Sequence, residues 1–114
     1  MMTFEELIQS KPTIAWKQRM DEGDDLFTGE NIQAVDEVLD AYISGLKELG
    51  ERPTAEAILK QVEEAVSRLN EWNDEYDYFI ETMEREELAE FIGEGAKIAG
   101  LASEEDITEE WREW

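Results

Sequence analysis

Histidine and cysteine are absent from this chain, proline occurs twice, and basic residues number only 10 against 31 acidic ones. Without histidine or cysteine the chain cannot supply the usual zinc, haem or iron–sulfur ligands. It also lacks a thiol nucleophile, disulfides and any Ser-His or Cys-His relay of its own. Ferritin-like di-metal chemistry falls with histidine, because its Glu-x-x-His elements cannot be written. Carboxylates are the one metal-ligand type left in quantity. No apolar run approaches the roughly 20 residues a spanning helix needs. The opening MMTFEELIQS lacks a basic region followed by an apolar core, so a cytoplasmic location is the expectation.

What remains is acid and hydrocarbon. Hydrophobic residues make up 41% of the 114, enough to build a core, while the formal charge is −21. Such a field repels nucleic-acid phosphates and anionic lipid and draws in basic proteins and cations. Neither direct nucleic-acid binding nor membrane binding is expected. The length suits one acidic helical domain over residues 1–114.

Periodicity predicts helices throughout. Thr3 with Glu6 has the form of a capping box. Pro12 ends that turn and opens a segment to Met20, where Ile14, Trp16 and Met20 are apolar anchors, and Asp21-Glu22-Gly23-Asp24-Asp25 marks a turn. The last run, through Glu30, has neither the glycine position nor the ligand order of an EF-hand. Thr28 caps a helix reaching Leu49, whose Ile32, Val35, Leu39, Tyr42, Leu46 and Leu49 share one face, broadened by Val38 and Ile43. Gly50 and Pro53 stop it. A second long helix starts at Thr54 with Ile58, Val62, Ala65, Leu69, Trp72, Tyr76, Phe79 and Met83 in register, and a break is predicted near Tyr78–Thr82, with Thr82 capping the next helix. That helix presents Leu88, Phe91, Ile92, Ala96 and Ala99 and ends at Gly100. In its middle, Gly93 and Gly95 either permit close packing or weaken it. Ser103 with Asp106 caps a short final helix bearing Ile107, Trp111 and Trp114. The fold class is therefore all-α, a compact bundle of four or five mostly antiparallel helices. Both a monomer and a homodimer are compatible with these faces.

The charge is uneven. Residues 1–50 hold 4 basic and 11 acidic groups, net −7, and residues 51–114 hold 6 and 20, net −14. An acidic face on the C-terminal helices needs only water, and solvation is its plainest role. As a recognition surface, Glu86, Glu90, Glu94 and Glu109 would steer a basic partner, while Tyr78 at the helix junction and Trp114 at the end would supply aromatic anchors. No catalytic, cofactor-binding or metal-ligating residue is assigned, and no cofactor is called for.

Three resemblances can be drawn. Glu71-x-x-Asp74, Glu81-x-x-Glu84 and Glu87-x-x-Glu90 are similar to the paired carboxylates of MazG-like nucleotide pyrophosphohydrolases. That likeness implies magnesium held by the acids and water activated against phosphorus. The order of the pairs and the scarcity of phosphate-orienting cations depart from that family. Leu69-Asn70, Ile80-Glu81-Thr82-x-x-Arg85-Glu86, Glu87-Leu88 and the following alanine–glycine segment resemble small bacterial acidic helical proteins over about residues 54–101. In size and charge the chain also looks like acidic immunity or inhibitor proteins. That likeness implies a noncatalytic interaction module whose acidic face fills an Arg/Lys-rich cleft, with Tyr78 or Trp114 helping to exclude substrate.

Overall fold

A computed structural model describes residues 3–101 and 106–114. It contains five helices: α1 (Phe4–Ile8), α2 (Pro12–Asp21), α3 (Gly29–Glu48), α4 (Ala55–Glu75) and α5 (Thr82–Ala99). No strand occurs among the described residues, and none of the helices is long and apolar enough to cross a membrane.

The central unit is the antiparallel hairpin of α3 and α4, whose contact is the most extensive in the bundle. Thr28 caps α3 by accepting the Asn31 amide, and Thr54 caps α4 by accepting the Ala57 amide. Between them the chain turns at Gly50, whose φ of +87° only glycine adopts without strain. Val35, Leu39, Ile43 and Leu46 of α3 and Ile58, Val62, Val66 and Leu69 of α4 are all buried at helical spacing. Each such side chain contributes about 1.5–3 kcal/mol of transfer free energy. The expected width of the α3 stripe is met, since Val38 and Ile43 are both buried.

α5 lies across this hairpin. Its approach is set by Gly95, where a Cβ would stand 2.9 Å from the Tyr42 ring. The Tyr42 hydroxyl donates to the Ile92 carbonyl at 2.7 Å, and burial pushes that phenol's pKa well up, so it remains a donor at any working pH. At its end, α5 closes with Gly100 at φ +117°. The Leu101 amide bonds the Ala96 carbonyl at 2.9 Å, completing the terminal glycine motif the sequence suggested.

The predicted boundaries need two corrections. α4 ends at Glu75, and α5 is capped by Glu81, not by Thr82, which is its first helical residue. The intervening loop reverses through Asp77 and Tyr78, both left-handed at φ +60° and +58°. Buried Asn73 holds that reversal: its carbonyl accepts the Tyr78 amide at 2.6 Å and its side chain accepts the Ile80 amide at 2.9 Å. Phe79 and Ile80 are thereby driven into the core. Met83, placed by periodicity on the buried stripe, follows the break and is 60% exposed. The second correction concerns the end of the chain. Residues 107–111 form turns and not the expected helix, and Ser103, its expected cap, lies outside the described residues.

α2 is fastened to α5 by polar bonds around one tryptophan. Trp16 is fully buried, stacks on Phe27 at 5.3 Å and meets Phe79 edge-on at 6.2 Å. Its indole N–H donates to Glu87 at 3.0 Å, while Arg19 donates to Glu84 at 3.0 Å and to Glu87 at 2.6 Å. Glu84 is buried and uses its other oxygen to accept the Glu81 amide at the start of α5. Removing one member of a buried pair strands the other charge. Arg19→Met is accordingly expected to cost about 3 kcal/mol in urea denaturation, with part of the loss recovered in Arg19→Met/Glu84→Gln.

Candidate functional site

Three of the described cations are half-buried and paired with acids. Lys11 bridges Asp36 and Asp40, both at 2.9 Å, Arg19 is held by Glu84 and Glu87, and Arg112 pairs with Asp106. Glu86, Glu90 and Glu94 have a different setting. They recur every fourth residue along α5, so the helix places them in one row with steps of about 6 Å. Within the row the described ion pair is Lys97 with Glu94, at the limiting separation of 4.0 Å.

That row borders a groove of about 350 Å³. Its floor is Ala89, Gly93, Ala96, Leu101 and Ile107, and Asp106 joins the acids on the rim together with the one cation there, Lys97. A second groove of about 500 Å³ continues past Leu101, Asp106 and Ile107 to Leu59, Trp111, Glu109 and Glu110. On the other side of the row, a third groove of about 320 Å³ runs between α5 and the start of α2, over Leu7, Ala15 and Phe91. Glu90 and Glu94 line the first groove and the third, so they form an acidic ridge between two partly apolar hollows.

Of the six residues singled out from sequence, Glu86, Glu90, Glu94 and Glu109 therefore line connected grooves. Tyr78 and Trp114 are among the lining residues of neither. Tyr78 is 66% exposed on the α4–α5 loop, where its hydroxyl donates to Asp74 at 2.6 Å. That hydrogen bond above all, and then the charge of Asp74, push its pKa up. Trp114 is half-buried, packs against the core and lies under the Arg112 guanidinium at 5.7 Å.

The form of the groove's far wall has no periodic signal in the sequence. Residues 106–114 dock without a helix because side chains take over the backbone bonding. The Asn70 amide donates to the Trp111 carbonyl at 2.8 Å and accepts the Glu113 amide at 3.0 Å. Fully buried Thr108 donates its amide, at 2.9 Å, and its hydroxyl to Asp106, which also receives Arg112. Burial pushes the Asp106 carboxyl up, but Thr108 and Arg112 outweigh it and leave the group below its ordinary value. Asx-type bonding of this kind was signalled only by the short spacing of Asp106, Thr108 and Arg112.

The carboxylate pairs that resemble a magnesium site are not assembled into one. Glu84 and Glu87 are engaged by Arg19, Asp74 accepts the Tyr78 hydroxyl, and among the described residues no group of three or more acids converges as a cation site. The chain matches no protein-family model, no curated protein and no solved structure.

Two outcomes are expected. Asp106 carries a lowered pKa, so its stabilisation is complete above the unfolded carboxylate value of 3.8 and disappears as pH falls through the folded value. The stability gap between the parent and Asp106→Asn in urea should be full at neutral pH and close on acidification. Gly93 sits inside α5, where glycine costs about 1 kcal/mol relative to alanine, and a Cβ there would meet nothing within 4 Å among the described residues. Gly93→Ala should thus raise stability by about 0.5–1 kcal/mol in the same assay.

Proposed function

We propose that this chain is a noncatalytic acidic interaction module that binds a basic protein and inhibits it by occupying an Arg/Lys-rich cleft. The observation that carries this reading is the row of Glu86, Glu90 and Glu94 beside a groove with an apolar floor. Charge by itself steers encounter and is screened by salt, whereas durable complexes need desolvated apolar contact. The α5 grooves offer the two side by side. The net charge of −21 gives the field its reach, and the exposed Tyr78 ring offers a further aromatic contact at the loop. A cytoplasmic setting, with a basic nucleic-acid-binding protein as the target, fits this chemistry.

Co-purification at low salt with intact-complex mass measurement tests the reading. A basic partner should be recovered in a defined stoichiometry, and its affinity should fall steeply with salt. The Glu86→Lys/Glu90→Lys variant should weaken it by about a hundredfold, while the purified protein consumes no nucleotide. Recovery of only neutral or acidic partners, or binding indifferent to both salt and charge reversal, would sink the proposal.

A further inference from the structure

Residues 9–20 hold Lys11, Lys17 and Arg19 and no acid, in a chain whose net charge is −21. This basic stretch, which includes most of α2, lies between two acidic walls. On the α3 side Lys11 bridges Asp36 and Asp40, and the Thr13 hydroxyl donates to Asp36 at 2.6 Å. On the α5 side Arg19 donates to Glu84 and Glu87, and the Trp16 indole donates to Glu87. α1 adds Glu5, which pairs with Lys47 of α3 at 3.3 Å. Among the described residues, each ion pair that joins one part of the fold to another therefore has one end on residues 4–21.

The apolar hold on this segment is smaller than that between α3 and α4. Leu7 and Trp16 are its buried large hydrophobic side chains, and Ile14 is half exposed. The segment also has a pivot. Glu22, Gly23, Asp24 and Asp25 are all exposed. The amides of Glu22, Gly23 and Asp24 bond back to α2 carbonyls, whereas the Leu26 carbonyl accepts the Asn31 side chain at the start of α3. Asp25 itself is spanned by an exposed bond from the Leu26 amide to the Asp24 carboxylate.

We propose that α1 and α2 form a proton-operated arm: neutralising the carboxylates that latch it releases residues 4–21 as one unit about Asp25, while the α3–α4 hairpin stays folded. Each latching tie has a carboxylate at one end, so protonation removes the charge from all of them. The bond from Tyr42 to the Ile92 carbonyl, which holds α5 to α3, has none. Burial pushes the Asp36 carboxyl up, but the Thr13 hydroxyl and Lys11, with the charge of Lys17, outweigh it and hold the group below its ordinary value. Its share of the latch is complete above the unfolded value of 3.8 and fades as pH falls through the folded one. Lys11 and Lys17 face the α3 acids, Arg19 faces Glu84 and Glu87, and Lys47 faces Glu5, with Glu90 and Glu94 lining one groove with Lys11 and Glu87. Because Glu84 also accepts the Glu81 amide, the first turn of α5 loosens with the arm. Opening empties the space that Trp16 fills between Phe27 and Phe79 and removes the Leu7 and Ala15 wall of the groove beside Glu90.

Native-state amide exchange of the full chain, read by NMR as protection factors, tests the arm. At neutral pH the hydrogen-bonded amides of α1 and α2 should share one opening equilibrium, about a hundredfold less protected than α3 and α4. At about pH 3, below the ordinary carboxylate range, the arm should lose about another hundredfold relative to the hairpin. Asp36→Asn/Glu87→Gln, which neutralises one acid on each wall, should reproduce that loss at neutral pH, about tenfold for each site. Equal protection of α2 and the hairpin, joint loss by arm and hairpin in acid, or a folded double variant with α2 still fully protected would each overturn the proposal. If the double variant does not fold, the exchange of the parent at the two pH values decides.

Discussion

The bundle depends on the polar clasp that Arg19, Glu84 and Glu87 form around Trp16. Four separate pieces of chain meet there: α2, the loop bearing Phe27, the α4–α5 loop bearing Phe79, and α5 itself. The α3–α4 hairpin can be understood from apolar burial alone, but α2 cannot, since its apolar residues lie on more than one side and Ile14 is half exposed. What fixes its rotation is the requirement that the Trp16 indole and the Arg19 guanidinium both find acceptors on α5. Because Glu84 serves Arg19 and the start of α5 together, the docking of α2 and the beginning of α5 are one event.

The same clasp shapes the electrostatics. A chain with three acids for every base must place its few cations carefully, and several of them are used where acids would otherwise be stranded near the core. On the outer side of α5, Lys97 alone lines the groove beside Glu86, Glu90 and Glu94. The acidic face is thus partly a by-product of how the fold neutralises its interior, and mutations that free an internal cation would alter the outer field as well.

Helical faces were largely legible in the sequence because one side of each long helix is uniformly apolar: Thr28, Thr54, Gly50 and Gly100 all punctuate where pattern and cap chemistry agree. Legibility failed where long-range bonds decide. Nothing local distinguishes Glu84 and Glu87, which face Arg19, from Glu86 and Glu90, which face outward. The final helix was misread because Ile107, Trp111 and Trp114 suit a helical face, whereas Asn70, some forty residues away, satisfies the backbone in another form. The acids of the candidate site were legible as a periodic row. The groove beside them was not, because its far wall comes from that same tail.

That wall behaves differently from the one opposite. α5 is held by a repeating ladder, while Asp106 and Ile107 stand on a segment with no such ladder, tied to α4 through Asn70 and seated by Ile107, Trp111 and Trp114 against the core. Segments without a continuous backbone ladder open at lower free energy than helices packed on a core. The width of the groove is then a matter of local equilibrium in the tail, and a ligand seated there would slow amide exchange in residues 106–114 as well as in α5.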